Sequence, residues 1–396
     1  MNNEIKSIKI IPGQPVEGDD FFGREKELEL LKEKLSNGLN IIIPGPRRWG
    51  KTSFVKEFFR RKISVFKDCY INLHETPSIK SFCDLFIDMR RITDLKSFIL
   101  EIKEKFIKKN WNSLMDLIPE LKTKDVEIKI GKFKEKDNFE QLNALTVIFE
   151  LFPKYKVILV LDEISDFIIE LEKKNKDEAI NFLKWLRVLR QDLNVQMILT
   201  GSVNITSALQ KLKLESLIGD MYLFKLKPLK QDESNLFLKS LLKSKEIEIK
   251  GEAFDFCIPK IQNGVHYFIQ LFADEISINC QNKIIESKEE ISQIYNDLID
   301  VSRASISDFK TRLTRYLTDT EEKAAKKILV NLADNTLIFD DIFPLAGSIL
   351  SDDKQHLADI LQRLCDEGYL IEKNNKYSFI SPILADYWLK HCFHEK

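Results

Sequence analysis

Residues 41–53 of the chain read IIIPGPRRWGKTS. The stretch begins in a short run, 39–43, that is apolar except for Asn40, and a helix-forming segment follows from about residue 51 to residue 62. The pattern G-x-x-x-x-G-K-[ST] is matched by four residues: Gly45, Gly50, Lys51 and Thr52. In this pattern the glycines let backbone N–H groups turn inward around a phosphate. Because the pattern lies between a predicted buried strand and a predicted helix, we predict that it binds the phosphates of a nucleotide.

The chemistry of this loop assigns a role to each of its reactive side chains. The ammonium group of Lys51 would neutralise the β- and γ-phosphate oxygens, and the hydroxyl group of Thr52 would bind Mg²⁺. The alternative is a glycine turn that carries a lysine by chance, and the strand-loop-helix context disfavours it. The predicted nucleotide-binding residues are Gly45, Pro46, Arg47, Arg48, Trp49, Gly50, Lys51, Thr52 and Ser53.

Two acidic residues end a second apolar run, which covers residues 157–161. We predict that Asp162 holds Mg²⁺ through water and that Glu163 polarises the water that attacks the γ-phosphate. Acidic residues at a solvated strand end are common, and it is the phosphate loop upstream that favours the paired interpretation. The next predicted strand covers residues 195–200. It ends at Thr200, and Gly201 and Ser202 follow it. A polar side chain there would sense the γ-phosphate, and Ser202 is preferred over Thr200, although a turn that needs small residues remains an alternative.

Strands alternating with helices predict the fold class. The chain is expected to be α/β, a P-loop NTPase with a doubly wound parallel sheet, followed by an all-helical lid and a C-terminal winged helix-turn-helix. The predicted domains are an ATPase core over 1–228, with a helical insertion over about 78–152, a lid and connector over 229–318, and the winged helix over 319–396. A small hairpin is predicted at 126–133 because apolar and polar residues alternate there.

Several stretches together resemble the prokaryotic ATP-binding proteins of the archaeal ATPase group, which are related to the STAND signalling NTPases and to AAA+ proteins. The residues that carry the resemblance are Phe22-Gly23-Arg24-Glu25, Gly45 to Ser53, Val157 to Glu163, Leu199 to Ser202 and Ser381-Pro382-Ile383. The resemblance covers nearly the whole chain and implies an ATPase that uses ATP and Mg²⁺. It also implies that Phe22 and Arg24 lie near the adenine.

Two departures from the pattern of such proteins concern hydrolysis. Many relatives carry an arginine before the last core strand, where this chain has Gly219-Asp220, and a Gly-x-Pro in the lid, where this chain has Gly264-Val265-His266. We therefore expect slow or partner-stimulated hydrolysis. Arg187, Arg190 or a partner protein remain as sources of the missing cation. A role for His266 at the nucleotide is open, and a structural role is the commoner one for a lone histidine.

Composition limits the other classes of function. The 396 residues contain 61 basic and 62 acidic residues, so no overall field favours nucleic acid or a membrane surface. The first ten residues, MNNEIKSIKI, have no apolar core of signal-peptide length, and no apolar run approaches the roughly 20 residues of a membrane span. The six cysteines contain no C-x-x-C pair. We expect a cytoplasmic protein in a reducing compartment, without membrane association.

The C-terminal segment lacks the excess of positive charge that binding of duplex DNA requires. Residues 321–396 contain nine basic and 13 acidic side chains, and the predicted recognition helix, 354–363, offers only Lys354 and Arg363 to phosphates. Residues 373–376 form the one plausible wing contact. The composition favours a protein partner or intramolecular docking. The strongest nucleic-acid candidate is a basic stretch with Arg303, Lys310, Arg312 and Arg315.

The sequence therefore predicts a nucleotide-dependent switch that engages a macromolecular partner and hydrolyses ATP slowly. Two alternatives stay open: a DNA-binding ATPase resembling replication initiators or transposition regulators, and a non-hydrolysing scaffold that retains ATP. Nucleotide-dependent assembly into a homo-oligomer is compatible with each of them.

Overall fold

A computed structural model of the protein describes residues 5–61, 67–74, 76–87, 138–150, 153, 156–201, 215–300, 306–307, 309–311, 313 and 317–392. The chain divides into two compact units, which we call the sheet unit and the helical unit. The sheet unit contains Glu25–Pro44 and Phe58–Lys225, and the helical unit contains Met1–Arg24, Gly45–Glu57 and Leu226–Lys396.

The sheet unit is built on five strands in the order β2-β3-β4-β1-β5. All of their pairings are parallel. The strands are β1 (Ile41–Pro44), β2 (Lys67–Asn72), β3 (Val157–Asp162), β4 (Met197–Gly201) and β5 (Tyr222–Leu223). This sheet confirms the predicted fold class. Because the strands are parallel, the carboxyl ends of β1, β3 and β4 lie at one edge of the sheet, where the polar residues of these strands are found.

The central strands are apolar along their whole length because both of their faces are buried. In β3, Val157, Leu159 and Leu161 pack into an apolar cluster on one face of the sheet. The alternate residues Ile158 and Val160 are fully buried on the opposite face. Successive side chains of a strand point to opposite faces, so a strand covered on both sides needs a continuous apolar run.

Helices in the sheet unit cover this sheet with aromatic and aliphatic side chains. They are α1 (Glu25–Ser36), α3 (Ile79–Ile87), α4 (Asn138–Phe149), α5 (Ile164–Lys174) and α6 (Lys176–Gln191), and α2 (Lys51–Arg60) follows β1 in the chain. Five rings in contact with one another form the centre of the apolar cluster: Phe82, Phe149, Phe167, Phe182 and Trp185.

Helix α1 begins later than the sequence pattern indicates. The spacing of leucines predicts a helix over 21–35, whereas α1 begins at Glu25. Gly23 and Arg24 have φ angles of 72° and 65°, in the left-handed region that a right-handed helix cannot contain. Phe21 is buried and Phe22 packs against the core of the helical unit. Tertiary packing of these two rings therefore replaces the first helical turn.

The helical unit contains four helices that pack with the N-terminal segment. These are α7 (Gln231–Lys243), α8 (Gly251–Lys260), α9 (His266–Asn279) and α10 (Lys288–Asp300), and a short parallel pair is formed by β6 (Glu248–Ile249) and β7 (Ile284–Ile285). Ile8 is buried in their core, and its backbone N–H donates to Ser240 of α7 at 3.0 Å. The N-terminal segment is therefore packed into the fold of the helical unit.

The C-terminal part of the helical unit combines four helices with a three-stranded antiparallel sheet of order β8-β10-β9. Its elements are α11 (Asp319–Leu332), β8 (Leu337–Ile338), α12 (Phe339–Ala346), α13 (Lys354–Asp366), β9 (Leu370–Lys373), β10 (Lys376–Phe379) and α14 (Pro382–Cys392). Asn374 and Asn375 turn between β9 and β10 with φ of 54° and 60°, as a two-residue hairpin requires. The Oγ of Ser381 accepts from the Ile383 backbone N–H at 3.2 Å and caps the N-terminus of α14.

Part of the predicted organisation lies outside the described residues. This is true of the hairpin at 126–133, of most of the insertion over 78–152, and of Arg303, Arg312 and Arg315 in the basic stretch. Among the helices that the structure describes, none is both long and apolar enough to cross a membrane.

Candidate functional site: a phosphate loop and a buried carboxylate

The predicted phosphate loop runs from the end of β1 into the first turn of α2. Gly50 has φ of 76°, a conformation that favours glycine, and Arg48 adopts a φ of 69° although it has a side chain. The loop therefore ends at the N-terminus of a helix, where unsatisfied N–H groups and the helix dipole favour an anion. Thr52 lies half-buried in the first turn of α2.

Lys51 folds back onto its own loop. Its Nζ donates to the carbonyl oxygens of Gly45, at 2.8 Å, and of Pro46, at 3.1 Å. The residue is only 4% exposed. The ammonium group is therefore held inside the loop, where the sequence pattern places the phosphate-binding cation.

Contacts made by Arg24 and Arg48 within the helical unit hold the loop from outside. Nη2 of Arg24 donates to the Trp49 carbonyl oxygen at 2.9 Å, and its Nη1 donates to the Lys227 carbonyl oxygen at 3.3 Å. The Arg48 guanidinium lies 4.2 Å from the centroid of the Tyr267 ring in α9, a cation–π distance. The guanidinium group of Arg24, which was predicted to lie near the adenine, thus binds the backbone carbonyl oxygens of Trp49 in the loop and of Lys227.

The N-terminal segment also binds helix α2. The backbone N–H of Val16 donates to the Ser53 hydroxyl at 3.0 Å, and that of Gly18 donates to the Glu57 carboxylate at 2.7 Å. Ser53 and Glu57 are both buried. Ser53, predicted as a nucleotide-binding residue, therefore contacts the N-terminal segment.

Phe22 and His266 form part of one aromatic group in the helical unit. The Phe22 ring stacks on Phe237 with centroids 4.8 Å apart, and the ring of His266 lies 5.1 Å from that of Phe237. Burial, together with the charge of Arg24, lowers the pKa of His266 to about 3, so its imidazole is neutral at physiological pH. Its Nε2 lies 3.3 Å from the Phe22 carbonyl oxygen, which a neutral ring satisfies by donating from Nε2–H.

Position 264, at the start of the Gly-Val-His segment that replaces the Gly-x-Pro of the resembled family, can be occupied only by glycine. Its φ is 61°, and a Cβ at this position would lie 2.0 Å from the carbonyl oxygen of Leu229. The Leu229 backbone N–H donates to the Gly264 carbonyl oxygen at 3.0 Å. The turn that precedes His266 is therefore fixed by close backbone contact, with no space for a larger residue.

In the sheet unit, the predicted acidic pair follows β3. Asp162 is 1% exposed, and its carboxylate accepts hydrogen bonds from the Thr200 hydroxyl and from the Tyr70 hydroxyl. The hydroxyl oxygen of Thr200 in turn accepts from the Glu163 backbone N–H at 3.4 Å. Thr200 thus contacts both acidic residues, because β3 and β4 are neighbours in the sheet.

Glu163 has an unusual backbone conformation for a residue with a side chain. Its φ and ψ are 58° and 38°, in the left-handed region, and it precedes the first residue of α5. Such conformations cost about 1–3 kcal/mol for non-glycine residues and cluster at functional sites. The change of direction ends β3 and begins α5 within one residue.

Gly201 completes the end of β4. A Cβ at this position would lie 2.7 Å from the Ser165 hydroxyl of α5, which explains a small residue after Thr200. Ser202, the preferred sensor of the sequence prediction, lies outside the described residues. Thr200 is therefore the sensor candidate whose position at the acidic pair is observed.

Arg190, one of the two arginines predicted as a substitute cation, has partners in its own unit. Its Nε and Nη2 donate to the two carboxylate oxygens of Asp220 at 3.0 and 2.9 Å, and Nη2 also donates to the Leu217 carbonyl oxygen. Burial acts to raise the pKa of Asp220, but the hydrogen bonds and charge of Arg190 outweigh it and lower that pKa. Asp220, found where relatives carry an arginine, thus binds one. Arg187 is half-buried on α6, and its Nε donates to the side-chain oxygen of Gln191 at 3.0 Å.

A turn of the C-terminal part, residues 366–369, contacts the phosphate loop within the helical unit. A Cβ on Gly368 would lie 3.1 Å from Cβ of Pro46 and 3.8 Å from the carbonyl oxygen of Arg47. Asp366 is 1% exposed, and burial raises its pKa to about 7 against the opposing hydrogen bond from Gln362. A buried carboxyl group therefore lies two residues from the contact with the loop.

The two cations of the predicted recognition helix have intramolecular partners. Arg363 donates to Glu321 of α11 at 3.0 Å, and Nζ of Lys354 lies 5.4 Å from the Phe343 ring centroid. Burial acts to raise the pKa of Glu321, but bonds from the Thr318 backbone, His356 and Arg363 outweigh it and hold that pKa at about 2. Both cations of α13 are thus directed to the protein itself.

The sequence prediction missed three features of these sites. It gives no role to Tyr70 or to the 366–369 turn, and it does not include the bond from Arg24 to the Trp49 carbonyl oxygen of the loop. A polar aromatic residue between the buried residues Cys69 and Ile71 of a strand is a signal for Tyr70. No signal in the sequence identifies the turn, because its partner is more than 300 residues away in the chain.

Comparisons with known proteins are consistent with the phosphate loop. No family model matches the chain. An uncharacterized ATP-binding protein of Pyrococcus abyssi is 36% identical over 86 residues, which is 21% of this chain and 25% of that protein. Another, from Pyrococcus horikoshii, is 39% identical over 59 residues, 14% of this chain and 18% of that protein. The chain thus covers a quarter or less of these relatives.

Solved structures share the fold over almost the whole chain. A Walker-type ATPase of Pyrococcus abyssi matches 96% of this chain and 99% of its own, with a TM-score of 0.65 and 17% identity. The Aeropyrum pernix ORC2 protein, solved as ADPNP–ADP complexes, matches 97% and 95%, with a TM-score of 0.54 and 13% identity. The chain therefore has the fold of P-loop ATPases of the AAA+ type.

Proposed function

We propose that the protein is an ATP-binding P-loop ATPase that hydrolyses ATP slowly and acts as a nucleotide-dependent switch. The observation that carries the proposal is Lys51, whose buried ammonium group donates to two carbonyl oxygens of the loop. Phosphate oxygens are stronger acceptors for an ammonium group than neutral carbonyls. A nucleotide phosphate that enters the loop would therefore draw Lys51 from Gly45 and Pro46. The name of the relatives, ATP-binding protein, supports ATP as the nucleotide.

The oxygen atoms of the Thr52 and Asp162 side chains are suited to Mg²⁺ that is bound together with a nucleotide. Mg²⁺ prefers oxygen ligands and keeps several of its waters. The hydroxyl group of Thr52 and the carboxylate of Asp162 are such ligands, and Asp162 is ionisable and already fixed by two hydroxyl donors. When bound, the ion would neutralise charge on the β- and γ-phosphates.

The remaining roles belong to side chains at the carboxylate. Glu163 orients the attacking water and accepts its proton, as a general base must. Thr200 contacts Asp162 and the backbone of Glu163, so it can transmit the presence of a γ-phosphate to both. We expect slow hydrolysis because Arg190 is committed to Asp220. A partner or Arg187 would then supply the cation that accelerates hydrolysis.

The switch role is supported by the contact between Gly368 and the phosphate loop. A ligand that binds the loop can shift a conformational equilibrium only if the two states differ in their contacts with that ligand. The 366–369 turn lies against Pro46, so filling the loop with phosphate changes what the turn contacts. We assign residues 319–396 to a winged helix that this contact releases or retains, residues 229–318 to the lid, and residues 1–228 to the ATPase core.

A protein partner is favoured over duplex DNA. DNA affinity depends largely on cations that neutralise phosphates. Arg363 and Lys354, the cations of the proposed recognition helix, are bound to Glu321 and to the Phe343 ring. A DNA-binding ATPase remains the second candidate, and it is favoured by the fold shared with the ORC2 protein. Assembly of several copies upon binding nucleotide fits either function.

The experiment that tests the proposal is steady-state ATP turnover by the purified protein with and without duplex DNA at physiological salt. We expect slow turnover that Glu163→Gln abolishes and that DNA leaves unchanged. Stimulation by DNA would replace the switch proposal by the DNA-dependent ATPase. Nucleotide that stays bound and intact for hours would identify a non-hydrolysing scaffold. Absence of ATP binding would refute all three functions.

A further inference from the structure

Tyr70 lies in β2, beside the strand that carries the acidic pair. In the parallel register of β2 and β3, Tyr70 is opposite Val160 and Asn72 is opposite Asp162. Residues two apart on a strand point to the same face, so Tyr70 and Asp162 point to one face of the sheet and are offset by two residues along the strands. The long phenol side chain spans this offset, and its hydroxyl donates to Asp162.

The two hydroxyl groups occupy different oxygens of the carboxylate. Tyr70 donates to Oδ2 of Asp162 and Thr200 donates to Oδ1. A carboxylate has two acceptor oxygens, so a hydroxyl bond to each of them constrains its orientation. Because Asp162 is 1% exposed, protein hydroxyls rather than bulk water set this orientation.

We propose that Tyr70 is a positioning residue that orients the Asp162 carboxylate toward a water bound to Mg²⁺, and that Mg²⁺-dependent nucleotide binding needs its hydroxyl group. This inference rests on the proposed function. Groups that hydrogen-bond a metal-binding side chain typically change metal affinity by about 10–100-fold when they are removed. The sequence motif contains no such group, since Tyr70 lies about 90 residues before Asp162 and belongs to another strand.

The proposal predicts a selective loss. Tyr70→Phe keeps the ring and its packing but removes the donor, so that the carboxylate loses the bond to its Oδ2 from Tyr70 and keeps the bond to its Oδ1 from Thr200. The loop residues that bind phosphate without the metal are unchanged. Nucleotide affinity in EDTA should therefore stay the same, whereas the gain in affinity produced by Mg²⁺ should fall about 10-fold.

The test is binding of a fluorescent ATP analogue by the full chain, measured in excess Mg²⁺ and in EDTA. The matched control is Tyr222→Phe, which removes a phenol hydroxyl from β5 of the same sheet, and we expect it to keep the full Mg²⁺-dependent gain. A gain in Tyr70→Phe within twofold of that of the parent would overturn the proposal. A parent protein that does not bind the analogue at all would instead overturn the proposed function and the inference with it.

A double-mutant cycle separates positioning from a general effect on stability. Asp162→Asn should lose most of the Mg²⁺-dependent gain, and adding Tyr70→Phe to it should cause no further loss, because both act through the same carboxylate. Thermal unfolding of each variant provides the control for folding. Independent, additive losses in the double variant would show that Tyr70 acts elsewhere and would overturn the proposal.

Discussion

Lys51, whose ammonium group is buried in the loop, is the residue on which the proposed phosphate binding depends most directly. Lys51→Ala should weaken ATP binding on the order of 100-fold, because charge-assisted hydrogen bonds to phosphate are lost. Isothermal titration with ATP would measure this loss. The matched control is Lys184→Ala on the exposed side of α6, which should bind ATP like the parent. Equal affinity of Lys51→Ala and the parent would contradict the assignment of the loop.

Glu163 is expected to affect the chemical step and not the binding of nucleotide. Glu163→Gln keeps the size of the side chain but removes the base, so turnover should fall by about 10²–10⁴-fold with ATP affinity retained. Single-turnover assays and chromatography of the bound nucleotide would check this. Glu170→Gln, on the exposed surface of the same helix α5, serves as the control. Normal turnover in Glu163→Gln would assign the general base to another residue.

At the scale of elements, the end of α13 combines a buried carboxyl group with the turn that contacts the loop. Because the folded protein raises the pKa of Asp366 to about 7 from the ordinary 3.8, it binds this proton more tightly than the unfolded chain does. Ionisation of Asp366 therefore lowers the free energy of unfolding. This loss of stability grows as the pH rises from about 4 to 7 and is constant above pH 7.

Asp366→Asn should remove that cost. We expect the free energy of unfolding to increase at pH 8 on the order of 2–4 kcal/mol, and the difference from the parent to shrink toward pH 4. Urea unfolding across this range would measure it, with Asp359→Asn on the exposed face of α13 as the control. A difference that does not depend on pH would mean that Asp366 keeps its ordinary titration in the fold.

The helices and strands themselves were largely predictable. Three apolar runs gave β1, β3 and β4 within a few residues, since strands buried on both faces leave a continuous apolar signal. The pair Asn374-Asn375 gave the hairpin, because asparagine tolerates the left-handed backbone of the turn. The start of α1 was predicted wrongly because the leucine spacing cannot show that Phe21 and Phe22 are needed in a core.

At the scale of the whole molecule, the contact of Gly368 with Pro46 brings together the phosphate loop and a turn that are far apart in the sequence. If nucleotide acts as a switch ligand, ATP should change hydrogen exchange of the backbone amides in residues 366–369. The same measurement should show no change in Lys51→Ala, which cannot hold the phosphate. Identical exchange of the turn in the presence and absence of ATP would show that the loop and the turn are not coupled.

The sequence by itself determined the phosphate loop, the acidic pair after β3 and the α/β class, because each depends on residues that are neighbours in the chain or on a local apolar period. Only the tertiary structure decided which side chains complete these motifs. Tyr70 reaches Asp162 because β2 pairs with β3, Arg190 is bound by Asp220, and Gly368 packs on Pro46. Such pairings are set by strand register and by the packing of distant elements, and local sequence does not encode them.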